Sequence, residues 1–138
     1  YKWGNDGRLG KLGEITISRS NLNFSMRAID LNRDGAKDLV VATFEEETNR
    51  PYTYFYGFRG NKFTEVAKRC SSFASVINLP PSYQPTLVGQ GWDSIKLFAP
   101  GVHIMVKQNG SYGLGQRINL PSGANVFNVA WLPGKNGD

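Results

Sequence analysis

Hydrophobic positions in this chain fall in short runs that either alternate with polar residues or continue unbroken: residues 24–29, 39–44, 52–58, 73–77, 102–106 and 126–131. No window of helical length carries apolar residues at the 3.6-residue spacing of an amphipathic helix, so the pattern predicts an all-β fold of short strands. Clusters of Gly, Asn, Asp and Pro separate the runs, at residues 4–7, 59–61, 79–82, 108–110 and 133–137. Each suits a turn for a backbone reason, because Gly and Asn tolerate positive φ and Pro fixes φ near the value a turn needs. Tyr52, Tyr54, Tyr56 and Phe58 alternate within one run and therefore share one face of a strand. That face is expected to pack against a neighbouring unit of structure; stacking on a carbohydrate is the sharper alternative.

Three segments look alike when aligned: residues 1–9, 56–63 and 105–112, each an aromatic or apolar start, a Gly/Asn turn and a second short run. The last two begin about 50 residues apart, a spacing in the range of four-stranded propeller blades. The apolar runs that begin at Phe24, Phe73 and Val126 keep a similar interval and would each open a blade. On this partition residues 1–18 close one blade, 24–68 form a complete one, 73–119 form a more divergent one, and 125–138 start the next. The expectation is a partial β-propeller of about two to three four-stranded antiparallel blades, with a β-sandwich as the alternative. Closed propellers typically have about four to eight blades. Such a segment is therefore expected to leave open edges near Tyr1 and over residues 126–131, where Phe127, Val129 and Trp131 are apolar, and to pair them with a protein partner or a second copy.

The densest chemistry lies in residues 30–38. Asp30, Asn32, Asp34 and Asp38 put oxygen-bearing side chains at positions 1, 3, 5 and 9 of a loop, with Gly35 at position 6. Calcium takes about six to eight such oxygens, and Gly permits the sharp turn that folds them inward; the carbonyl of Ala36 at position 7 is the natural further ligand. Three carboxylates so close together repel one another unless a cation is near. An EF-hand begins in the same way but needs a Glu at position 12, where this chain has Val41, and it needs helices where the flanks here are strand-like.

With strands on both sides, residues 28–41, Ala-Ile-Asp-Leu-Asn-Arg-Asp-Gly-Ala-Lys-Asp-Leu-Val-Val, resemble the FG-GAP or VCBS repeat of integrin α-subunit propellers and of many bacterial surface and secreted proteins. The resemblance implies a calcium loop between the first two strands of a blade, with Asp30, Asn32, Asp34, the Ala36 carbonyl and Asp38 as ligands. Arg33 stands where the family often has Gly. The matching loop of the second unit, residues 78–82, has no acidic set, and no metal is expected there. A secreted, periplasmic or cell-surface location is likewise an expectation from the resemblance alone.

Composition narrows the remaining possibilities. The net charge is +5, but the Lys and Arg residues are scattered. With no basic stripe and no recognition helix, nucleic-acid binding is not expected. Cys70 is the only cysteine, which excludes an internal disulfide and a thiolate zinc cluster. No apolar run approaches the length of a membrane-spanning helix. Tyr1 in place of an initiator Met suggests a processed or excised segment. His103, the only histidine, lies in a strand-like run, and no Gly-x-Ser-x-Gly elbow accompanies any serine, so no catalytic residues are assigned. Trp92, beside Gly91 and Asp93, is the best candidate for stacking on a glycan. The combined expectation is a non-catalytic, calcium-binding scaffold or protein/glycan recognition module. The alternative is an accessory or partial domain of a polysaccharide-acting enzyme.

Overall fold

In the computed structural model, residues 2–11, 13–17 and 21–129 are described. They form twelve strands and, among the described residues, no helix: β1 (Lys2–Trp3), β2 (Leu9–Gly10), β3 (Asn21–Ile29), β4 (Asp38–Glu45), β5 (Arg50–Arg59), β6 (Lys62–Cys70), β7 (Phe73–Leu79), β8 (Gln84–Gln90), β9 (Trp92–Asp93), β10 (Leu97–Phe98), β11 (Val102–Gln108) and β12 (Ser111–Ile118). Eight of these make two four-stranded antiparallel sheets, β3-β4-β5-β6, a simple meander, and β7-β8-β11-β12, a meander interrupted after β8 by the small hairpin β9-β10; β1-β2 is another small hairpin. The all-β reading therefore holds.

The turn chemistry explains the meanders. In β5-β6 the central residues Gly60 and Asn61 have φ of 55° and 62°, and in β11-β12 Asn109 and Gly110 have φ of 49° and 79°. Positive φ at both central positions is what a two-residue type I′ hairpin requires, and its twist matches that of the strands it joins. The three look-alike segments are all hairpins, the first closed by the amide of Gly4 donating to the Arg8 carbonyl at 2.7 Å.

The two large sheets pack face to face. Val40, Phe55 and Ala67 of the first meet Ala74, Leu87 and Met105 of the second, all buried. Along β5 the alternation is strict: Thr53, Phe55 and Gly57 are buried, while Tyr52, Tyr54, Tyr56 and Phe58 are half-exposed. The aromatic ladder thus lies on the face of the first sheet turned away from the second. There Tyr54 and Tyr56 stack with ring centroids 6.2 Å apart, and the Arg69 guanidinium lies 4.1 Å from the Tyr52 ring.

Because strand side chains alternate, the second sheet has another apolar face, made by Phe73, Ile77, Val88 and Val102. Val126 is buried against these residues, and Trp92, Phe98 and Phe127 pack around them. Here the structure departs from the sequence expectation. Residues 126–128 form a turn rather than a strand. The Asn125 side chain accepts the amides of Phe127 and Asn128 at 2.9 and 3.1 Å, and the Val126 amide donates to Gln90 Oε1 at 3.0 Å instead of entering a ladder. Phe127 and Val129 pack on the second core rather than forming an open apolar edge. Trp131 and the rest of residues 130–138 lie outside the described residues.

Cys70, at the end of β6, is mostly covered, and burial pushes its thiol up to about 11. The thiolate is the reactive form. Cys70 is therefore expected to resist iodoacetamide at neutral pH in the folded protein and to label readily in denaturant, as followed by mass spectrometry.

Candidate metal site

Residues 30–37 connect β3 to β4, between the paired residues Ile29 and Asp38. The loop is folded by its own acidic side chains. Asp30 accepts the amides of Asp34 at 3.0 Å and Gly35 at 2.8 Å, Asn32 Oδ1 accepts the Asp34 amide at 3.2 Å, and Asp34 Oδ1 accepts the Ala36 amide at 2.8 Å. Gly35 has φ +85°, the left-handed conformation expected of position 6. Arg33 also lies there, at φ 60°. In that region a Cβ is crowded and glycine is not, so Arg33 occupies a backbone position that favours glycine.

Asp38 differs from the other members of the set. Its carboxylate is fully buried, accepts the Leu31 amide at 3.1 Å, and lies 3.2 Å from Arg59 Nη2. The same nitrogen of Arg59 reaches Asp34 Oδ2 at 2.6 Å. Hydrogen bonds from the Ala36 amide, Arg59 and Asn32 hold the Asp34 carboxyl below the usual carboxylate range, and the pairing with Asp34 raises Arg59 further. The charge of Asp38 also extends across the sheet interface. The Tyr112 phenol on β12 is raised, first by burial and then by that carboxylate.

Sequence reasoning missed Arg59, which ends β5, and Gly57, which pairs directly with Asp38. A Cβ on Gly57 would fall 2.7 Å from Val66 Cγ1 and 3.0 Å from Asp38 Oδ1, so glycine is what leaves room for the carboxylate. Strand spacing alone carries no signal for either residue, because both depend on the β4-β5 register.

The proposed ligand set is thus gathered in one loop: Asp38 buried, Asp30 and Ala36 half-buried, Asn32 and Asp34 exposed. Among the described residues, however, no three His, Cys, Asp or Glu side chains converge closely enough to hold a metal. Asp34 and Asp38 share Arg59 instead. The donor chemistry nonetheless fits a hard cation. A carboxylate offers about four lone-pair sites, and Asp30 and Asp38 each receive two of the hydrogen bonds given above. Arg59 is the feature that opposes a cation, since it already supplies positive charge.

The remaining candidates are placed as follows. Trp92, in β9, is half-buried with the Arg50 guanidinium 6.0 Å from its ring. Asp93 beside it accepts the turn amides of Ile95 and Lys96 at 2.9 and 2.8 Å. His103 Nδ1 bonds the Gly115 carbonyl at 2.9 Å within the second sheet. Among the described residues no helix is long and apolar enough to cross a membrane. In comparison with known proteins, the chain matches no family model, and neither a curated protein nor a solved structure gives a match.

Proposed function

We propose that this chain is a calcium-binding segment of the FG-GAP/VCBS type, a non-catalytic scaffold or protein/glycan recognition module of a secreted or surface protein built from propeller-like blades. The observation that carries this reading is the loop 30–38. It joins the first two strands of a four-stranded meander and wraps Asp30, Asn32 and Asp34 around a left-handed Gly35. Asp30, Asn32, Asp34, Asp38 and the Ala36 carbonyl would hold the ion. Bound calcium would supply a charge-neutralising cross-link between the loop and the strands on either side. Two meanders in succession, packed face to face, support blades, and the outer strands of the two sheets, β3 and β6 in one and β7 and β12 in the other, are where further chain or a partner would pair, in place of the edges expected near Tyr1 and over residues 126–131.

A cation bound only by the folded protein adds RT ln(1 + [L]/Kd), about 2.7 kcal/mol at one hundred times Kd. The melting temperature is therefore expected to be higher in excess calcium than in chelator. Asp34→Ala is expected to abolish that difference, and Glu46→Ala, in the β4-β5 turn, to preserve it. Differential scanning calorimetry of the three proteins decides the matter; a wild-type chain indifferent to calcium would remove the metal from the reading.

A further inference from the structure

A cleft of about 520 Å³ opens between the β10–β11 connection, the end of β12 and the segment that follows it. Phe98, Ile118 and Leu120 give it apolar walls, and its charged lining residues are Lys96 and Arg117, with no Asp or Glu among them. The Arg117 side chain is exposed. It lies across Gly101, where φ is +91° and an added Cβ would fall 2.7 Å from Arg117 Nε. Arg117 and Lys96 take part in none of the ion pairs found among the described residues. Lys96 does lie near enough to Asp93 to contribute to the lowering of that carboxyl, after the two turn amides. Arg117 is the less neutralised of the two cations.

We infer that this cleft binds a small organic carboxylate with a compact apolar body. A guanidinium presents a planar fork that matches a carboxylate through two parallel hydrogen bonds. Apolar walls with a few convergent polar groups, in a volume of this order, are the usual make-up of a small-molecule site. A single fork with apolar surroundings suits a monoanion better than a phosphate dianion, which calls for more donors. The carboxylate sits on Arg117, Lys96 adds attraction at longer range, and the body rests on Phe98, Ile118 and Leu120. This site is separate from the loop 30–38 and does not depend on calcium.

The test is a titration of the isotope-labelled chain with benzoate, with benzamide as the neutral control, followed by amide chemical shifts. Benzoate is expected to give saturable shifts at Gly101, Ile118 and Leu120 with a Kd below about 10 mM, and benzamide to bind at least about tenfold more weakly. Arg117→Gln is expected to weaken benzoate by about tenfold or more, and Arg117→Lys, which keeps the charge and loses the fork, to fall between that variant and the wild type. The amide spectrum of each variant shows directly whether it is folded. Equal binding of benzamide, unchanged affinity in Arg117→Gln, or shifts spread over the basic surface away from the cleft would each overturn the inference.

Discussion

Phe73→Ala is expected to lower the unfolding free energy by about 4 kcal/mol, near the middle of the range for deleting a fully buried aromatic side chain. Phe73 opens β7 with no exposed surface. Its ring meets Phe24 and Phe44 of the first sheet at 5.3 and 6.4 Å, Phe98 of the β9-β10 hairpin at 4.9 Å, and Phe127 of the final turn at 5.8 Å. One side chain therefore joins three parts of the molecule, and the cavity left behind would have little to collapse into. Single domains of this size are stable by only about 5–15 kcal/mol, so the loss is a large fraction of the whole. Urea unfolding followed by tryptophan fluorescence and by far-ultraviolet circular dichroism should show one transition, moved to lower urea by the same amount in both signals. If the two signals separate, the sheets unfold independently and the ring does not couple them.

The second large effect belongs to Asp38. Asp38→Ala is expected to cost about 3 kcal/mol in the presence of chelator, because it leaves the Leu31 amide and the Arg59 guanidinium without their buried acceptor. Arg59 is about one-third exposed and keeps Asp34 as its partner, which holds the cost at the lower end of that for breaking a buried pair. Asp38→Asn retains an acceptor for Leu31 and is expected to lose about 1 to 2 kcal/mol. On the proposed reading both variants should also lose the calcium-dependent rise in melting temperature. Urea midpoints in chelator and in calcium separate the two contributions. A cost for Asp38→Ala below about 1 kcal/mol in chelator would show that the buried carboxylate does not organise the loop.

The main strands were legible from their apolar runs, alternating in β3 and β5 and nearly unbroken in β4 and β11, and the Gly/Asn turns marked their ends. The hairpin β9-β10 was not, since two-residue strands carry no periodicity. Residues 126–131 read as a strand because all but Asn128 are apolar. Asn125 and Gln90 decide otherwise, by offering their amides better acceptors than a ladder would. Pro85 obscured β8, a strand with neighbours on both sides. It lies near the start of β8, opposite Asn78 of β7 and before Val88 and Gly89, the two residues that pair with β11. In the candidate site the acidic loop was visible from spacing alone. Arg59 was not, because it is brought there by the pairing of β4 with β5 and has no local signature.

An irregularity in β6 limits which changes this chain tolerates. Between the pairs Thr53↔Cys70 and Phe55↔Ala67, β6 carries an extra residue, a bulge at Lys68 and Arg69. The Lys68 amide, released from its own ladder, donates instead to the Gly110 carbonyl of the second sheet at 2.9 Å, and Ser111 Oγ donates to the Lys68 carbonyl at 2.6 Å. Most of this clasp is backbone, so it is indifferent to the side chain at position 68, proline excepted. Deletion is a different matter. Removing one residue between Ala67 and Cys70 would take out the extra residue that frees the Lys68 amide, and with it the backbone bond to the second sheet. Lineages of this chain should thus vary freely in residue type at position 68 while keeping the length of the bulge fixed.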